Sequence, residues 1–188
     1  GKAHIGIGPS ESVISFSCQD KYPALVAIAA ILQRDASSIC VKKDSSIRRP
    51  QELDGKSYAS YQARYEDHLV QQMIINDGGQ GEVEISYPRK LGVWNQLIRG
   101  NTDATWIFRP WEGVEAERDG LDLRHFVLED YGLPYGYSPV LFVRKDRLEG
   151  EKQIWKQFLE ASKQAFLYGK SKPEQASQLF VEATDHPS

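Results

Sequence analysis

Trp111 and Glu112 stand side by side just past the apolar run Ala104-Thr105-Trp106-Ile107-Phe108. The run reads as a buried strand, and Pro110 at its exit predicts a helix over 111–118. In an α/β sheet, the C-terminal end of a strand followed by a helix N-terminus is where ligands bind. An aromatic face next to a carboxylate suits a flat, nitrogen-rich ligand: the ring stacks and the carboxylate accepts from amino N–H groups. A second group follows an earlier strand. Tyr61 or Tyr65 offers a stacking face, Glu66 an acceptor, and Arg64 a cation for a phosphate or formyl oxygen. The plainer alternative makes Tyr65 a core residue and Arg64–Glu66 a surface pair. A third group, Ser10 and Glu11, opens a helix after a short strand, where free N–H groups and the helix dipole favour a polar ligand edge. Ser10 as a simple cap and Glu11 as a dipole partner is the alternative there. Tyr135 and Tyr137 lie in a Tyr/Gly/Pro-rich stretch and either line a cleft or stiffen a crossover. Trp106 alternates within its strand and reads as core.

Other chemistries find little support. The four histidines are scattered, and no His, Cys and carboxylate spacing fits a metal. No nucleophile–base arrangement stands out. Gly6-x-Gly8 lacks the third glycine of a dinucleotide loop. The expectation is a non-enzymatic binding protein with no catalytic residue, no metal and no cofactor.

The elements that position these residues follow from periodicity. Strands are expected over 3–7, 25–33, 38–41, 57–60, 83–87, 104–108, 123–128 and 140–144. Helices are expected over 10–16, 64–76, 90–99, 111–118, 151–168 and 173–183, with a helical turn over 49–55. Asp77-Gly78-Gly79 and Gly100 close two of the helices. In the helix over 151–168, Ile154, Trp155, Phe158, Leu159, Ala165 and Phe166 share a face expected to turn inward. Repeated strand–helix–strand units imply a mostly parallel sheet. The polar stretch 42–49 and the stretch 130–139 read as two crossings between blocks. The predicted architecture is α/β with two lobes and a double hinge: residues 1–44 plus 131–188 form an incomplete lobe, and 45–130 the other.

The chain has 188 residues, a net charge of -3 and no basic block, so nucleic acid is not an expected partner. No run of about 18 apolar residues exists, so membrane insertion is not expected. Cys18 and Cys40 are far apart in sequence and read as buried free thiols.

Several stretches together resemble one family. They are Gly6-Ile7-Gly8-Pro9-Ser10-Glu11-Ser12-Val13-Ile14, Leu53-Asp54-Gly55-Lys56-Ser57-Tyr58-Ala59-Ser60-Tyr61, Arg64-Tyr65-Glu66, Leu91-Gly92-Val93-Trp94-Asn95, Trp111-Glu112-Gly113-Val114-Glu115-Ala116 and Pro134-Tyr135-Gly136-Tyr137-Ser138-Pro139-Val140. The chain resembles the thiamine-pyrimidine-precursor family of type II periplasmic substrate-binding proteins. That family holds ABC-transporter binding proteins, relatives that bind riboflavin or sulfonates, and fungal thiamine-pyrimidine synthases. The resemblance implies a type II periplasmic-binding-protein-like fold and capture of a thiamine-related aminopyrimidine or similar flat heterocycle for an ABC permease. It implies a periplasmic or lipid-anchored location if a signal was removed, and a cytoplasmic one otherwise. Two departures stand out. Family members begin with a strand–helix–strand segment before the Gly-Ile-Gly-Pro-Ser stretch, so the first lobe is expected to be truncated and to pair in a homodimer. The Cys-rich iron motif of the synthases is absent, so a pyrimidine-making enzyme is the runner-up, beside a truncated derivative that dimerises without binding ligand.

Overall fold

The computed structural model describes residues 3–63, 65–89 and 92–184. The chain divides into two compact units, one running from Leu32 to Tyr137 and the other made of the segments before and after it.

The first segment holds strand β1 (Ile5–Gly8), helix α1 (Ser10–Ser17) and strand β2 (Leu25–Ala30). Pro9, with φ -61° and ψ 145°, occupies the N-cap of α1, and no side chain caps the helix. Ser10 is therefore the first helical residue rather than the expected cap. Cys18, which ends α1, is exposed, against the expectation of two buried thiols; Cys40 is buried.

The central unit opens with β3 (Ser37–Lys42), then β4 (Ser57–Ala59), α2 (Glu66–Asn76), β5 (Glu84–Ser86), α3 (Val93–Ile98), β6 (Ala104–Phe108), α4 (Val114–Arg118) and β7 (Leu123–Phe126). The strands form one sheet in the order β5-β4-β6-β3-β7. β4 runs parallel to β5 and β6, whereas β3 is antiparallel to both β6 and β7. Alternation along β3 and β6 divides the core. Ile39, Val41, Ala104 and Trp106 pack with Val70, Met73 and Ile74 of α2. Cys40 and Ile107 pack on the other face with Trp94, Leu97 and Ala116. Cover on both faces explains why β3 is buried from Ser37 to Val41 and β6 from Ala104 to Ile107. Trp106 is core, as its place in the strand predicts. The end of α2 also follows prediction: Gly78, at φ 102°, takes the left-handed conformation past the helix.

The chain then returns to the other unit through β8 (Val140–Arg144), α5 (Lys145–Leu148), α6 (Lys152–Ser171) and α7 (Pro173–Thr184). β8 lies between β1 and β2 and is antiparallel to both.

Three expectations change. The sheets are mixed rather than mostly parallel, because β3 and β8, where the chain enters each unit, take central places running against their neighbours. The units divide at 31/32 and 137/138 rather than 44/45 and 130/131, because β3 pairs within the central sheet. The stretch 42–49 is accordingly a loop inside the central unit, not a crossing. The apolar face of α6 is real, but only Trp155 on it is buried; Ile154, Phe158 and Phe166 are exposed. A twenty-residue helix is about 30 Å long, and three strands span only about 15 Å.

Candidate functional site

β4 and β6 are parallel neighbours, and the chain leaves them in opposite directions, β4 toward β5 and β6 toward β7. This divergence makes a crevice at their C-terminal ends, the place where open α/β sheets hold ligands. Two loops flank it, residues 60–63 and the wide π-type turn Arg109–Gly113.

The first loop is shaped by Glu66. Its carboxylate, 4% exposed, turns back from the start of α2. It accepts from the Tyr58 hydroxyl at 2.7 Å, the Tyr61 N–H at 3.1 Å and the Ala63 N–H at 3.3 Å. Ser60 Oγ accepts from the Gln62 N–H at 2.9 Å and donates to Asp67 at 2.6 Å; the Tyr87 hydroxyl donates to the other Asp67 oxygen at 2.9 Å. These bonds hold Gln62 at φ 58°, a left-handed conformation for a residue with a side chain. Burial raises the Glu66 pKa, against the lowering effect of its three donors. Burial and the Glu66 charge likewise push the Tyr58 hydroxyl well above the usual tyrosine range.

The loop presents Tyr61. Its ring packs against the core, and its hydroxyl feels the Glu112 carboxylate charge. Burial comes first, then the Glu112 and Glu66 charges, in holding the Tyr61 hydroxyl above its usual range. Glu112 accepts from the Phe108 N–H at 2.9 Å, which places its carboxylate at the end of β6. Trp111 beside it is 73% exposed. Arg109 donates to the carbonyls of Ala36 and Asp35, both at 3.3 Å, so its guanidinium is tied to the entry of β3. Ser38 Oγ and His125 Nδ1 lie 3.0 Å apart on adjacent strands, and burial followed by the Arg109 charge lowers the His125 pKa.

Of the residues singled out from sequence, Tyr61, Glu66 and Glu112 come together here. Tyr65 caps α2 and is 42% exposed. Arg64 lies outside the described residues. Tyr135 packs edge-on against Trp106, ring centroids 5.7 Å apart, which gives it a core role in the central unit. Ser10 and Glu11 belong to the other unit. Sequence reasoning did not anticipate Tyr58, Ser60, Asp67 and Tyr87. The only available signal was a run of hydroxyl and carboxyl side chains around a strand end, which is common in loops. Among the described residues no cluster of three or more His, Cys, Asp or Glu side chains is arranged to hold a metal.

The fold is that of the periplasmic solute-binding proteins. The aliphatic sulphonate-binding protein SsuA of Escherichia coli is similar at 17% identity and a TM-score of 0.78, over 100% of this chain and 63% of that one. SsuA of Xanthomonas axonopodis, bound to MOPS, gives 17% identity and 0.73 over the same shares, 100% and 63%. A ligand-binding component of an ABC-type import system from Staphylococcus aureus, with zinc bound, gives 14% identity and 0.66, again over 100% and 63%. The chain thus spans less than two thirds of these proteins' length. The profile of the NMT1/THI5-like family matches residues 1–176, and the chain belongs to that family. No curated protein matches it in sequence.

Proposed function

We propose that the chain is part of a periplasmic solute-binding protein that takes a thiamine-related aminopyrimidine, or a similar flat heterocycle, and delivers it to an ABC permease. The observation that carries this reading is the Glu112 carboxylate, fixed at the divergence of β4 and β6 beside the Tyr61 hydroxyl. A carboxylate offers about four acceptor positions. The Phe108 N–H takes one, and the rest suit the amino and ring N–H groups of a pyrimidine. Exposed Trp111 and Tyr65 supply faces for stacking. A sulfonate or a free carboxylate fits this crevice poorly. Glu66 and Glu112 bring negative charge, and the Arg109 guanidinium is held by backbone carbonyls. The same reading includes self-association as a homodimer, supported by exposed apolar side chains on α6 and α7.

The test is calorimetric titration with a formylaminopyrimidine, thiamine, riboflavin and taurine. The pyrimidine binds, and Glu112→Gln weakens it by about tenfold, the size of one hydrogen bond to a charged acceptor. Preference for taurine, or equal binding by Glu112→Gln, removes the assignment.

A further inference from the structure

At the opposite end of the same sheet, where β3 finishes at Lys42 and β6 begins at Ala104, lies a cavity of about 420 Å³. It is the open end of the second core layer, floored by Trp94, Leu97, Ile98, Leu121 and Leu123. Side chains alternate along β3, so Lys42 follows Cys40 onto this face. The Lys42 ammonium donates to the Ile98 carbonyl at 2.8 Å. An ammonium carries three N–H donors, and among the described residues Lys42 forms no ion pair. Its neighbour Lys43 is neutralised by Asp122 at 3.3 Å, and Asp44 at the rim is exposed to solvent. Trp94, 8% exposed, is part of the lining, and its enclosed indole N–H has no acceptor. Enclosed donors are nearly always paired in folded proteins.

We propose that this cavity is a second binding site, for a small amphipathic carboxylate. The flat apolar body lies on the Trp94 and Leu121 floor and the carboxylate meets Lys42. The volume falls in the range of about 300–1,000 Å³ typical of small-molecule sites. Four steps of extended strand, roughly 13 Å, separate Lys42 from Ser38 near the Glu112 end. The two sites share no residue, so this proposal is independent of the function proposed above.

The experiment follows the indole N–H resonances of the four tryptophans in the full chain. Trp94 is assigned by the signal lost in Trp94→Phe. Phenylacetate, phenylacetamide and benzylamine are the probes. Phenylacetate shifts the Trp94 signal in a saturable way, while the neutral amide and the amine bind at least about tenfold more weakly. Lys42→Gln, which keeps an N–H donor for the Ile98 carbonyl but removes the charge, abolishes that preference. Leu121→Trp fills the floor, leaves Lys42 in place and abolishes the shift altogether, so a folding defect in the lysine variant does not decide the outcome. No Trp94 shift with phenylacetate, an equal response to the amide, or unchanged binding by Leu121→Trp overturns the proposal.

Discussion

Glu66 shows how one buried carboxylate can set the shape of a loop from within. Its oxygens accept from Tyr58, Tyr61 and Ala63, so it acts on the crevice by fixing the backbone that carries Tyr61. Burial raises its pKa, so over a window above the ordinary glutamate range the folded chain binds more protons here than the unfolded chain. Stability from this group is then fully present below the unfolded pKa and lost as pH rises through the folded pKa. Urea unfolding across that window shows wild-type stability falling with rising pH, and Glu66→Gln removes this component; an unchanged slope in the variant contradicts the assignment. Glu66→Ala leaves the Tyr58 hydroxyl and two N–H groups without their acceptor and costs about 1–3 kcal/mol at least. Tyr61 and Glu112 were legible in the sequence because a side chain just past a parallel strand has few places to point. The inward turn of Glu66 was not. The first carboxylate of a helix normally faces solvent, and the curl of residues 60–63 reverses it here.

That curl is a property of the element. Gln62 adopts φ 58° because Ser60 and Glu66 fix the N–H groups on either side of it and its own. A side chain there is strained, whereas glycine is not. Gln62→Gly raises stability by up to about 1 kcal/mol and Gln62→Val lowers it by a similar amount; denaturant midpoints decide, and a loss in the glycine variant argues that the Gln62 side chain itself is needed. The thiols probe the elements in another way. Burial, reinforced by the nearby Glu112 charge, pushes the Cys40 thiol far above its usual range, while Cys18 at the end of α1 is exposed. A thiol reagent therefore labels Cys18 in the native chain and Cys40 only after denaturation; native labelling of Cys40 means that β3 opens. Element types were readable from period: Leu69, Val70, Met73 and Ile74 share one helical face, and Ile39 to Val41 is a short run that fits a strand. Which sheet β3 joins was not readable, since that depends on pairing with β6 and β7 far along the chain. Taking 42–49 for a crossing followed from the same gap.

At the scale of the whole chain, the proposed homodimer is expected to form through the exposed apolar surface of the two C-terminal helices. Ile154, Phe158, Phe166 and Leu167 on α6 and Leu179 and Phe180 on α7 are each at least 40% exposed. α7 folds back on α6, with the Tyr168 hydroxyl donating to Gln175 at 3.1 Å, so the side chains belong to one hairpin. Scattered exposed leucines are ordinary, but a concentration of large apolar side chains on adjacent helices marks an interaction surface. Burying each one fully is worth about 1.5–3 kcal/mol. Several of them, duplicated by a two-fold axis, reach the roughly 8 kcal/mol of a micromolar dimer even against an association cost of about 4–15 kcal/mol. A symmetric pair of copies is the simplest arrangement, because one patch then covers itself. Sedimentation at micromolar concentration shows a dimer. Phe166→Glu combined with Leu179→Glu gives a monomer with unchanged helix content, since each side chain is already solvent-facing in the single chain and a charge is costly only where a partner would bury it. A wild-type monomer at that concentration, or a double variant that still dimerises, means that these helices do not form the interface between two copies.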